Sequence, residues 1–138
     1  MTISQSFVKF IEEKGYGVFG QNIFLYRVPN SLKTQTELLW IIPSGGQPIA
    51  TNKTGELIKE YQFLVYYRSN SAEKVDLVLS DIEEVLNCSS CVNLEGFELV
   101  SIKVTQFPAD QDLDSENRMV GSLQATVQVY KGCQNIES

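Results

Sequence analysis

The residue types that carry acid, base or nucleophilic chemistry are sparse in this chain and poorly spaced for it. The 138 residues include no histidine. That absence removes Ser-His-Asp triads, Cys-His dyads, imidazole metal ligands and imidazole acid-base catalysis. Cys88-Ser89-Ser90-Cys91 has the spacing of zinc knuckles and thiol redox motifs. Zinc needs about four ligands, and the chain adds only Cys133. A redox pair opens a helix after a strand, whereas this pair follows a helical segment, so a structural or incidental role is the reading. Three cysteines without an export signal are expected as reduced thiols.

Asp110, Asp112 and Asp114 alternate as at the start of a calcium loop, with Glu116 close behind. Such a loop takes Gly at its sixth position and a bidentate Glu at its twelfth. Here those places hold Ser115 and Gly121, and an alternating strand follows where a helix is required. A solvated acidic loop is the main reading. A weak divalent-ion site at Asp110, Asp112 and Asp114, completed by a neighbouring subunit, stays open as the lesser one. Gly45-Gly46 lacks the Lys-Ser/Thr of a phosphate loop and opens no helix, so backbone freedom at a sharp turn is its expected use. No nucleophile, base and electrophile converge on a nameable reaction. Neither an enzyme nor a cofactor is expected.

Composition argues for a globular chain and against a disordered or membrane-spanning one. Hydrophobic residues make up 43% and charged residues 20%, near the average for folded domains. The length predicts one domain over residues 1–138, ending in a frayed tail at 132–138. No apolar run approaches a membrane span, and no basic segment precedes an apolar core at the N-terminus. The expected location is the producing cell or a particle assembled there. A net charge of −6 without a Lys/Arg cluster argues against tight nucleic-acid binding. An acidic surface still suits a conduit that DNA passes without adhering.

Two helices and several strands would position these residues. Ile3, Phe7, Phe10 and Ile11 fall on one face of a helix over 3–14, with Thr2 and Gln5 set for a capping box and Gly15 as the stop. Ser71 to Asn87 places Val75, Val78, Leu79, Ile82, Val85 and Leu86 in one apolar stripe, opposite Glu73, Lys74, Asp76, Asp81, Glu83 and Glu84. Asn70 or Ser71 is its expected N-cap, and solvent the expected neighbour of its acidic face. Strands are predicted at 21–28, 37–42, 60–68, 98–106 and 121–130. The last two alternate: Val100, Ile102 and Val104 against Ser101, Lys103 and Thr105, then Leu123, Ala125, Val127 and Val129 against Ser122, Gln124, Thr126 and Gln128. Their polar faces carry few charges, which suits a wet or partner-facing surface. Pro43-Ser44-Gly45-Gly46-Gln47-Pro48 reads as a turn that stops the strand before it. The segment 107–117 reads as a long polar loop. Together these elements predict an α+β fold, a single mixed or antiparallel sheet with two helices packed on one face.

The run Leu38-Leu39-Trp40-Ile41-Ile42, the Gly-Gly-Gln-Pro element, the strand Glu60-Tyr61-Gln62-Phe63-Leu64-Val65-Tyr66-Tyr67-Arg68 and the helix after it resemble the tail-terminator proteins of long-tailed bacteriophages, also described as phage minor capsid or tail-completion proteins. The layout is similar over most of the chain, and the residues over that central stretch. The resemblance implies a structural virion protein that forms a ring, generally a hexamer, at the head-proximal end of the tail tube. Such a ring stops tube polymerisation and offers a docking surface to the neck or connector, with DNA passing through its lumen. Its partners would be other copies of itself, the tail tube protein and the neck or connector protein, with no membrane involved. Gln47, Lys53, Glu56, Asp112, Asp114 and Glu116 are interface candidates because their segments are polar and interrupt strands. Tyr66 joins them because tyrosine is enriched at interfaces. A head-completion or neck protein of the same virion is one alternative. A cytoplasmic adaptor or small-ligand binding module, using the Tyr-rich strand and a pocket beneath the 107–117 loop, is the other.

Overall fold

The computed structural model describes residues 2–27, 37–51, 57–88, 92–106, 112–113 and 118–130. Helix α1 (Ile3–Glu13) starts at the expected capping box: the Thr2 hydroxyl accepts the Gln5 N–H at 3.2 Å, and the Gln5 side chain accepts the Thr2 N–H at 2.9 Å. Two donors that the first turn leaves without partners are thereby satisfied. It ends where Gly15 takes a φ of +89°, the left-handed conformation of a C′ glycine. Helix α2 (Ala72–Asn87) is capped by Ser71, whose hydroxyl accepts the Lys74 N–H.

Strands β1 (Ile23–Leu25), β2 (Leu38–Thr51), β3 (Leu57–Ser69), β4 (Glu98–Gln106) and β6 (Met119–Tyr130) form one sheet in the order β1-β2-β3-β6-β4. The two-residue β5 (Asp112–Leu113) pairs with β6. β1 runs parallel to β2, and every other pairing is antiparallel. The sheet is therefore mixed and the fold α+β.

Three expectations change. The Pro43–Pro48 segment does not stop the strand; β2 continues through it to Thr51, with irregular pairing between Pro43 and Gly46 and between Pro48 and Ala50. Beyond Ile41 the described pairings of β2 are with β3 alone, and a strand edge is where proline's missing N–H is tolerated. Gly45, at φ +122°, takes up the irregularity. The strand expected at 21–28 is shorter, since Tyr26 turns out of it with φ +75° while its N–H donates to the Ile41 carbonyl at 2.8 Å. Finally, 107–117 is not all loop, because Asp112 and Leu113 pair with Val120 and Met119.

Register divides the sheet residues between two faces, since directly opposed residues share a face. Leu39 lies opposite Tyr67, Ile41 opposite Val65, Val65 opposite Leu123, Phe63 opposite Ala125, and Val127 opposite Ile102. All of these are buried and join Phe7 and Ile11 of α1 and Val75, Leu79, Ile82 and Leu86 of α2 in one apolar cluster. Phe7 and Phe63 stack with centroids 4.4 Å apart. In β4 the pairing skips from Leu99 to Ser101, which leaves Val100 exposed and breaks the simple alternation predicted for that strand.

Candidate assembly surfaces

The opposite face of the sheet has a different chemistry. Trp40 and Tyr66 are half-buried and stacked, their centroids 5.2 Å apart and their planes within 9°. Ile42 and Leu64 face each other beside them. Further along the strands the face becomes an amide ladder: Gln124 Nε2 donates to Gln62 Oε1 at 3.1 Å, Gln128 Nε2 to Glu60 Oε1 at 3.2 Å, and Ser101 Oγ to Gln128 Oε1 at 3.1 Å. These groups are tied to one another, and each amide keeps donor or acceptor capacity for a partner or for water.

Beside the ladder lies a polar hollow of about 310 Å³ lined by Ser44, Gly45, Gly46, Gln47, Glu60 and Gln62. On the other, core-side face of the strand, position 46 requires glycine. A Cβ on Gly46 would sit 2.5 Å from the Tyr61 ring, which crosses from the neighbouring strand. The glycine pair therefore serves strand packing and a bulge, and the sharp turn expected of it is not made.

A second surface lies between α1 and β1. Val8, Leu25, Phe19 and Tyr26, with Gln5, Lys9 and Glu12, line a groove of about 450 Å³. Glu12 accepts the Phe19 N–H at 2.9 Å, and Asn22 Oδ1 accepts the Val18 N–H at 2.6 Å, so the link is pinned at its base.

A third, smaller hollow of about 210 Å³ is lined by Gly15, Tyr16, Asn22, Glu37, Tyr67, Lys74 and Val78. Tyr16 donates its hydroxyl to Asp81 at 2.5 Å. Burial, followed by that bond to Asp81, pushes the Tyr16 hydroxyl well above its usual pKa. Burial and then Glu37 push Tyr67 upward, against Lys74. Lys74 pairs with Glu37 at 2.7 Å, and the hydrogen bond to Glu37 raises its pKa. Asp81 thus has a protein partner, although the sequence assigns α2's acidic face to solvent.

The structure separates the candidate residues named from sequence. Gln47 is exposed beside the polar hollow, opposite Glu60. Tyr66 is in the aromatic stack, on the face opposite Tyr61 and the buried Tyr67. Asp112 lies in β5, at the far end of β6 from β4's pairings. Lys53, Glu56, Asp110, Asp114 and Glu116 lie outside the described residues, as does the 132–138 tail. Among the described residues no three His, Cys, Asp or Glu gather as a metal cluster. Cys88 is disulfide-bonded, which corrects the expectation of reduced thiols at that position. Sequence reading missed the buried Arg68 and Arg118, both engaged in contacts, and the Phe19 and Tyr26 groove. The one signal for the groove was apolar residues crowded among Gly15, Gly17 and Gly20, without helix or strand periodicity.

The described residues thus form a mixed sheet whose open face carries an aromatic stack and an amide ladder. The chain belongs to the bacteriophage tail terminator protein family, whose model matches residues 10–131. It is accordingly a structural phage tail protein, a virion component that associates with other tail parts. No curated protein matches it. No helix among the described residues is long and apolar enough to cross a membrane.

Proposed function

We propose that the chain forms a ring at the head-proximal end of the phage tail tube, where it ends tube polymerisation and provides the docking surface for the neck or connector. Membership of the tail terminator family over residues 10–131 carries this reading. The mechanism is steric. A subunit that joins its neighbours through heterologous contacts closes a ring where the rotation allows it, and a closed ring seated on the last tube layer leaves no site for the next. A hexamer is the expected ring. The net charge of −6 favours passage of DNA through the lumen without adhesion.

The amide ladder, Gln47, Tyr66 and Asp112 are the described part of the contact surface in this reading. Lys53, Glu56, Asp114 and Glu116 remain candidates beside them. Size-exclusion chromatography with light scattering, with and without millimolar magnesium, followed by negative-stain imaging, tests the ring directly. A species of about six subunits supports it, and particles assembled without the chain should carry overlong tails. A monomer under every condition, together with tails of normal length in its absence, would sink the proposal.

A further inference from the structure

The polar hollow on the open face holds a carboxylate with no counter-charge. By register, Glu60, Gln128 and Ser101 form one row across β3, β6 and β4, and Gln47 of β2 stands opposite Glu60 on the same face. Among the described residues that line the hollow of about 310 Å³, Glu60 alone is charged. It is half-buried, and its Oε1 accepts one hydrogen bond from the neutral Gln128 amide. It makes no ion pair among the described residues. Exposed Lys103 lies in the next row, opposite Thr126 and two strands from β3, and has no ion pair among the described residues either. Exposed Glu98 adds a second carboxylate to that end of the face. A half-buried carboxylate has lost part of its water, and one neutral amide returns only part of that loss, so the site draws a cation.

The groups around Glu60 leave acceptors to meet it. Glu60 Oε2 is not used by Gln128. Ser44 Oγ gives its proton to the Gln62 carbonyl at 3.2 Å, which leaves the lone pairs of the hydroxyl. The exposed Gln47 amide makes no hydrogen bond among the described residues. The pairing of β2 with β3 skips Ser44 and Gly45, and the hollow lies at that irregularity. A guanidinium matches this set: it carries five N–H donors and no acceptor, and its planar fork can span a carboxylate and a neighbouring oxygen, whereas an ammonium is a compact point charge. The volume stands at the lower end of the range for small-molecule pockets, which suits one long side chain better than a cofactor.

We propose that this hollow receives a guanidinium group, the arginine side chain of another polypeptide, with Glu60 as its counter-charge and Ser44 and Gln47 as neighbouring acceptors. The inference rests on the reading of the ladder face as a contact surface, and it names the chemistry of the group which that face meets.

N-acetyl-arginine amide, with N-acetyl-citrulline amide as its uncharged isostere, tests the site by nuclear magnetic resonance on the full labelled chain. The arginine probe should shift the side-chain amide signals of Gln47, Gln62 and Gln128 saturably at millimolar concentration, and the citrulline probe should not. Glu60→Gln keeps an acceptor for Gln128 and should weaken arginine binding roughly 10-fold or more, the order of a lost charged hydrogen bond. Gln47→Ala, at an exposed position, should weaken it less and leaves the fold intact. The inference is overturned if arginine leaves these signals unmoved, if citrulline moves them as far, if Glu60→Gln binds arginine as tightly, or if magnesium chloride saturates the site instead.

The probe acts on a single chain, so the result separates from assembly. A ring whose hollow ignores arginine overturns this inference and leaves the ring reading standing. Arginine binding by a chain that never forms a ring upholds the inference and counts against the ring. The source of the guanidinium is read from Arg27→Gln, because Arg27 is exposed whereas Arg68 and Arg118 are buried. Lost self-association assigns it to a second copy, and unchanged self-association assigns it to another tail protein.

Discussion

On one face of the sheet Phe63, Val65, Ala125 and Val127 have no exposed surface at all, whereas on the other Trp40, Tyr66, Gln62, Gln124 and Gln128 are only half-buried. The same strands supply both sets at alternating positions, so the contrast is one of side chains and not of backbone. The first face holds aliphatic and aromatic groups in dense contact with α1 and α2 residues, where each removed methylene is felt. The second holds groups that satisfy one another by hydrogen bonds and still meet water. Stability is concentrated on the first, and the second is free to be specified by what it touches. Phe24, Leu38, Arg68 and Thr126 are exceptions, buried although their register places them on the second face.

The largest expected effect comes from Phe63→Ala, which removes the stack on Phe7 from a fully buried site. It should cost about 3–5 kcal/mol, read from denaturant unfolding. A loss below about 1 kcal/mol would mean the core face is not packed as described. Gly46→Ala comes next, because its Cβ would meet the Tyr61 ring at 2.5 Å. A cost of about 1–3 kcal/mol is expected, and the pair Gly46→Ala with Tyr61→Ala should lose less than the sum of the singles, since the clash disappears. Gln124→Ala on the ladder face should cost under about 1 kcal/mol, because Gln62 can turn to water. A cost equal to that of Phe63→Ala would erase the distinction between the faces.

The smallest effect is one of pH. Tyr16 is held protonated by burial and by Asp81, so its pKa in the folded state lies above the ordinary 10.0. A raised pKa stabilises the fold fully below the ordinary value and loses that contribution as pH climbs above it. The stability advantage of wild type over Tyr16→Phe should therefore be constant from pH 7 to about 9 and shrink above about 10. Thermal melts across that range measure it, and an advantage that grows with alkalinity would contradict the assignment.

Much of the fold was legible in sequence wherever the signal was local. Thr2 with Gln5, Ser71, and the stripe from Val75 to Leu86 define both helices through caps and a 3.6-residue period. Glu98–Gln106 was placed to the residue, although the skip at Val100 breaks the alternation from which it was read. The Pro43 to Pro48 segment was misread because proline and glycine signal a break in general, and only the described pairings show that this part of β2 bonds to β3 alone beyond Ile41. The surfaces were less legible. Tyr61, Tyr66 and Tyr67 look alike in sequence, yet register sends Tyr66 to the open face and its two neighbours to the core face. The groove at Phe19 and Tyr26 has no period to betray it, since a turn with positive φ builds it.

By itself the sequence determined the class of protein: the lack of histidine, the charge of −6, the two capped helices and the resemblance of the 38–86 stretch all follow from residue identity and near-neighbour spacing. Only the tertiary structure decided the strand order, the parallel seat of β1, the seat of Tyr61 over Gly46, and which polar side chains meet in a ladder. Those depend on which distant segments pair and in what register. A shift of one residue would exchange the two faces of a strand, and nothing within a single strand's own sequence names its partner.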